Sequence, residues 1–464
     1  MIVFERRIAW LFRAAVKRCF DSSGSKADQT PVQIRLTKDG LQMHASTSEI
    51  TVSYAQPDMK GEGVFTFPIL HFNEFESKSS DHVEIALLRP NLAVARWTEK
   101  GRSREIQIPL LEPESVSIRP EPPKKFTPLP GHFLTSLHDA SVATAEQATK
   151  FVLNRVQLRG KTGTVLGSDS HQLFVSGGFK FPFSDDVLIP RSGIFGLQPF
   201  QTSEEASLGR TDRQIFIRTG GWTFAFWIDK DGRYPDVSSI IPRSSDFKTL
   251  FKLHAEDAQS FLDSLVRRIK GPAAKEHSVT LDLTETPCLR FEIDGRVTEV
   301  VLMNSEVTGQ RFRVCLKLSQ FLHALELRFH EFELRDPAKP IVARDGERIY
   351  LVMPIHGTKA LLSGPDVIKI QTSAPKPKKA LLPVKRRVRE PIVVPAGATT
   401  TIEPAMCFDI LGEAEGLRDG LFKVATHAGK ILRFLRETCT QKRILDIARS
   451  SLFALGNQTA GEKV

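Results

Sequence analysis

No stretch of this sequence stays apolar for the roughly 18 residues that a membrane-spanning helix needs, so no such helix is expected. Cysteine is scarce too. Cys19, Cys288, Cys315, Cys407 and Cys439 are odd in number, scattered, and never spaced as CxxC. That argues against a disulfide framework or a zinc site and fits a reducing cytoplasm. There is no P-loop, carboxylate cluster or metal-ligand motif, so no catalytic residue, cofactor or metal is expected. Asp169 and His171 form an isolated Asp-x-His pair. With no nucleophile or second ligand cluster beside them, a structural turn is the expectation. The opening MIVFERRIAWLFRAAVKRCF sets Arg6, Arg7 and Arg13 among its apolar positions, and no small-residue cleavage site follows. This favours an amphipathic helix over a targeting segment.

What is present is an ordinary globular composition, 41% hydrophobic and 25% charged, over 464 residues. That length suggests about three units. The net charge of +10 points to an anionic partner. From residue 357 onward there are 18 Lys and Arg against 10 Asp and Glu, so most of the excess lies there. An anion-binding surface in the body must therefore come from local clustering.

One order of elements recurs three times at a period of roughly 123 residues, far longer than the 20–50 of a solenoid. Each round opens with an amphipathic helix: AWLFRAAVKRCFD, GHFLTSLHDASVAT, then DAQSFLDSLVRRIK. A strand follows at 32–36, 152–158 or 279–283, with LQMHA, VLGSD or CLRFEI as its hairpin partner. Next comes a strand-to-helix segment: GVFTFPILHFNEF, DVLIPRSGIFGL, then FRVCLKLSQFLHAL. A hairpin closes each round: HVEIALLRPNLAVARW, RQIFIRTGGWTFAFWI, then EFELRD with RIYLVMPI. The expected fold class is α+β, with three tandem copies of one unit at 1–122, 123–246 and 247–356. Pro-rich residues 119–130 and residues 242–246 serve as linkers. Residues 357–404 read as a basic, Pro-containing linker, and 405–464 as a helical C-terminal extension.

These strings resemble the bacterial DNA sliding clamp, the beta subunit of DNA polymerase III. The run to SDSHQLFV, ending at Val175, is similar to the family's TDGHRLAV. VLIPRSG from Val187 is similar to IVPRKG, DGRYPDVSSIIP from Asp231 to DGRFPDYRRVLP, and YLVMPI from Tyr350 to YVVMPM. The resemblance covers about residues 1–356 and is weakest in the first unit.

It implies a non-catalytic processivity factor: a head-to-tail homodimer whose six domains close a ring around duplex DNA, helices lining the hole and sheets outside. Phosphate attraction in such a hole is diffuse and sequence-independent. The basic candidates are Arg13, Lys17, Arg18, Lys150, Arg267 and Arg268. The dimer surface maps to Leu265 and Val266 or, shifted by one, to Val266 and Arg267, where a buried unpaired arginine would oppose ring closure. The family docks replicative polymerase, clamp loader and repair proteins through Leu/Phe peptides in a pocket between the second and third domains. Its wall maps to Leu153, Ser168, Ser170, His171, Gln172 and Leu173, to Pro235, Ser239 and Ile240, and to Val352, Met353, Pro354 and Ile355. Gln172, Ser239 and His356 stand where the family has arginines, and Ser170 where it has glycine. SSLF at 450–453 loosely resembles a clamp-binding peptide. The resemblance places the protein in the bacterial cytoplasm, at the nucleoid. The alternative is a divergent clamp-like paralogue, a protein-interaction module outside core replication.

Overall fold

Alternation at a period of two gives a strand one face to bury and one to leave polar, and most of this fold is built from such strands. In the computed structural model the described residues are 1–372 apart from 20–26, 58, 60, 117–119, 148–150, 267–276, 294 and 356–358. Residues 373–464, including SSLF at 450–453, lie outside them. Met1–Pro377 forms one compact unit.

The described strands form four sheets. One contains Ile2–Glu5, His82–Arg89, Leu92–Glu99 and Arg102–Pro109, in that order. The eight-stranded sheet runs Gly63–Pro68, Pro31–Thr37, Gly40–Ser46, Ile50–Gln56, Trp222–Trp227, Gln214–Thr219, Glu205–Arg210, Thr127–Pro130. The nine-stranded sheet runs Asp186–Pro190, Arg155–Arg159, Thr164–Ser168, Gln172–Ser176, Arg348–Val352, Ile341–Asp345, Glu331–Leu334, Thr249–Lys252, Glu306–Gly309. The fourth has five strands: Arg313–Lys317, Ser278–Asp282, Cys288–Ile293, Arg296–Val301, Ile368–Gln371.

Four longer helices pack on these sheets: α1 (Arg6–Lys17), α2 (His132–Ala143), α3 (Ala255–Val266) and α4 (Leu318–Glu326). Each lacks internal proline and repeats apolar residues at three- and four-residue spacing, as in Ile8, Phe12, Ala15 and Val16 of α1. Aromatic side chains join elements distant in sequence. Phe12 of α1 stacks on Trp222 with centroids 5.9 Å apart, and Trp222 meets Phe200 edge-on at 5.5 Å.

The expected hairpins are present, with CLRFEI spanning its strand in full, except the last: EFELRD does not pair with RIYLVMPI, because Ile341–Asp345 lies between them and pairs with both. Other elements differ from expectation. The first helix starts at Arg6 because Ile2–Glu5 is a strand paired with His82–Arg89. Arg102–Pro109 is a strand although RSREIQIP lacks clean alternation; it lies at a sheet edge and is mostly exposed. Ile368–Gln371 is a strand within the stretch expected to be linker.

Phe12 is fully buried and joins α1 to a strand more than two hundred residues away. Phe12→Ala is expected to cost about 3–5 kcal/mol, read as a lower urea midpoint.

Candidate functional site

The Gln172–Ser176 and Arg348–Val352 strands pair antiparallel, Gln172 opposite Val352 and Leu173 opposite Leu351. Alternation then sorts their side chains onto two faces. Phe174, Tyr350 and Val352 join the main core, while Leu173, Val175 and Leu351 join a separate apolar cluster with Leu166, Val237 and Val342. Tyr234, Ile241, Phe247 and Ile349 pack around that second cluster.

The rim of this outer cluster is where the expected pocket residues gather. Ile240 is 49% exposed and Met353 36% exposed, both large apolar side chains left in solvent. Ser170, His171 and Ser239 are exposed, and Pro235, Pro354 and Ile355 are half-buried. Met353 donates its N–H to the His171 carbonyl at 2.7 Å, holding the end of one strand beside the turn that opens the other. Leu153 is buried, and the neighbouring Val152 N–H bonds the Arg233 carbonyl, tying this segment to the one carrying Pro235.

The turn itself is built by Asp169. Its Oδ1 accepts from the His171 and Gln172 N–H groups, each at 2.8 Å, so the Asp-x-His pair is a structural turn. Ser168 Oγ donates to the Gln172 carbonyl at 2.7 Å. Ser170 sits at φ +78°, a left-handed conformation that glycine adopts without penalty and serine does not.

Two expected wall residues point elsewhere. Gln172 is turned inward: its Oε1 accepts from Tyr350 Oη at 2.5 Å and lies 3.4 Å from His323 Nδ1. Val352 shares that inner face and belongs to the core. Their neighbours Leu173 and Leu351 face the second buried cluster instead, since a shift of one position reverses a strand's face. Leu351, Leu166 and Val342 were missed, although the alternation through YLVMPI could have found Leu351.

Behind the site, α2 and α4 place several titratable groups close to Tyr350. Burial, with a smaller push from His138, lowers the His323 pKa to about 4. Burial lifts Asp139 to about 7 against the pull of Arg348.

The basic candidates fare unevenly. Arg13 makes a bidentate ion pair with Glu76, its Nε 2.6 Å from Oε2, and Lys17 Nζ lies 2.7 Å from Asp28. Their charge is already matched. Arg18 is exposed. Lys150, Arg267 and Arg268 lie outside the described residues. Leu265, expected at a dimer surface, is 3% exposed and packs in the chain's own core, so it is not available to a partner. The Val266 side chain lies outside the described residues.

Solved structures similar to this chain include DNA polymerase clamps. The sliding clamp of Bacillus subtilis matches with a TM-score of 0.59 at 18% identity, over 76% of this chain and 98% of its own. The DNA polymerase III beta chain of Streptococcus pneumoniae matches at 0.59 and 17%, over 77% and 100%. The chain has the sliding-clamp fold. The beta subunit of Pseudomonas aeruginosa bound to griselimycin gives 0.58 and 17%, over 76% and 99%. No protein-family model matches this sequence, and no curated protein matches it either. Among the described residues, no helix is long and apolar enough to cross a membrane.

Two outcomes follow. Ser170→Gly is expected to raise stability by about 1 kcal/mol, read in urea. His323 has its folded pKa below its unfolded one, so the fold holds it neutral and the unfolded chain takes up the proton first. Its contribution is intact above about pH 6.5 and is lost as pH falls toward about 4, in total roughly 3 kcal/mol. Asp139 is raised and acts with the opposite sign over about the same window, so the readout is the difference between wild type and His323→Gln.

Proposed function

We propose that this chain is a non-catalytic DNA sliding clamp, a processivity factor that encircles duplex DNA and docks polymerase and repair partners through Leu/Phe peptides. The observation that carries the reading is a repeated junction. Ile50–Gln56 pairs with Trp222–Trp227, and Gln172–Ser176 pairs with Arg348–Val352, joining a set of four strands to one of four and to one of five, respectively. This supports three tandem copies of one unit, at 1–122, 123–246 and 247–356. Joining like units by like contacts turns the chain through a constant angle, which generates an arc. Two such arcs, head to tail, make a ring whose interior helices attract phosphates without gripping bases. The work belongs in the cytoplasm, at the nucleoid.

Docking falls to the outer apolar cluster. Its rim residues Ile240 and Met353 are apolar and exposed, and a thioether adapts to varied peptide side chains. Burying a few such groups supplies about 1.5–3 kcal/mol each when fully covered. Gln172 favours a second reading, an interaction module outside core replication. At the position of a family arginine it offers no charge to the rim, because its amide is neutral, and its Oε1 is bonded to Tyr350 inside. Co-purification with clamp loader and polymerase distinguishes the two.

Two measurements test the proposal. The ring form is expected to stay on nicked circular DNA and to leave when the circle is linearised; equal loss from both would remove the clamp reading. A fluorescent peptide ending in Leu-Phe is expected to bind, and Ile240→Asp to weaken it at least tenfold with unchanged circular dichroism.

A further inference from the structure

The repeated junction fixes what a third one would use. At both observed junctions, the third strand in chain order of one four-strand set, Ile50–Gln56 or Gln172–Ser176, pairs antiparallel with the last strand of the neighbouring set, Trp222–Trp227 or Arg348–Val352. Two outer edges are left over by this rule, those of Arg296–Val301 and Arg102–Pro109. A head-to-tail pair of chains would bring the first from one copy against the second from the other.

Only one of these edges is open. Arg102–Pro109 has no strand on its outer side among the described residues. The edge of Arg296–Val301 is occupied by the chain's own Ile368–Gln371, running parallel, with Thr298 opposite Ile368 and Val301 opposite Gln371. The parallel direction marks it as a substitute, since the junctions it replaces are antiparallel.

The occupying strand is the end of a strap that is built into the fold. Asp257 on α3, fully buried, accepts from Thr372 Oγ1 at 2.5 Å, and the same hydroxyl accepts from the Met303 N–H at 2.9 Å. The Thr372 N–H donates to the Val301 carbonyl at 3.0 Å, continuing the ladder. Earlier in the strap, the Leu361 N–H bonds Thr280 Oγ1 at 2.8 Å, and its carbonyl lies 3.4 Å from Arg290 Nη1. Arg290 is itself buried between Asp282 and Glu299, at 2.6 and 2.5 Å, on the sheet face opposite the core residues Leu289 and Phe291.

We infer that Ile368–Gln371 is an intramolecular stand-in for the Arg102–Pro109 strand of a second copy, so that head-to-tail closure requires the strap to leave. The partner of the open edge is then the Arg296–Val301 edge of another copy whose strap is released. Both occupants satisfy the same row of backbone donors and acceptors, so they exclude one another. Strap release becomes the control point for assembly. The inference rests on the ring reading for its purpose, but the strand exchange itself does not require DNA.

The test is molecular mass by sedimentation across 1–100 µM (about the range that separates weak from stable dimers), with amide exchange on the same samples. The full chain is expected to be monomeric. Lys369→Pro with Ile370→Pro removes N–H groups facing both sides of the strap strand, and this variant is expected to double in mass. The amides of Arg102–Pro109 become protected in its dimer. The milder Thr372→Val keeps the strand and removes only the hydroxyl that bonds Asp257 and Met303; it is expected to strengthen self-association about tenfold. A full chain that dimerises as tightly as these variants overturns the inference. So do folded variants that stay monomeric, or a dimer without protection at 102–109. Doubled mass without retention on circular DNA would leave the strap intact as a switch and remove the clamp reading instead.

Discussion

Every strand edge carries a row of peptide N–H and C=O groups, and each row must be matched by another strand or by water. Much of this molecule follows from how those rows are matched. The Ile50–Gln56 and Gln172–Ser176 edges each meet a strand from the next third of the chain, extending local hairpins into sheets of eight and nine strands. The Arg296–Val301 edge meets a strap from the same chain, and the Arg102–Pro109 edge meets no strand among the described residues. Continuity of the sheets, position of the apolar rim and the proposed route to assembly all come from this distribution.

The junction between Gln172–Ser176 and Arg348–Val352 performs two tasks through one register. Its outer face gathers Leu173, Leu351 and Val342 into an apolar cluster edged by exposed side chains. Its inner face carries Gln172 and Tyr350, hydrogen-bonded to each other among α2 and α4. A buried polar pair of this kind loses more when one partner is removed than it gains when formed, so it locks the register more than it adds stability. The outer surface is therefore fixed by chemistry on the opposite side of the sheet.

The cations show how charge reading needs neighbours. Arg13 and Lys17 lie on one amphipathic helix and look like a basic stripe, yet Glu76 and Asp28 from elsewhere in the chain neutralise them. Arg290 was never a candidate, but it is buried between two carboxylates and covered by the strap. Burial of such a group holds only while all of its partners stay in place, which couples the strap to the sheet it crosses.

Periodicity alone announced most of the helices and strands, because period-two and period-3.6 patterns are local properties of the chain. Strings such as SDSHQLFV and DGRYPDVSSIIP pointed to the Asp169 turn and to the segments that meet beside it. Which face each residue presents was beyond that reading: Gln172 and Val352 turned inward and Leu351 outward once pairing set the register. The short strand Ile368–Gln371 lay in a stretch read as linker, since four residues carry too little alternation to announce an edge partner. Its role depends on contacts with Asp257 and Val301, far away in sequence. Local pattern specifies elements, whereas tertiary structure decides which backbone edges are spent and which remain open.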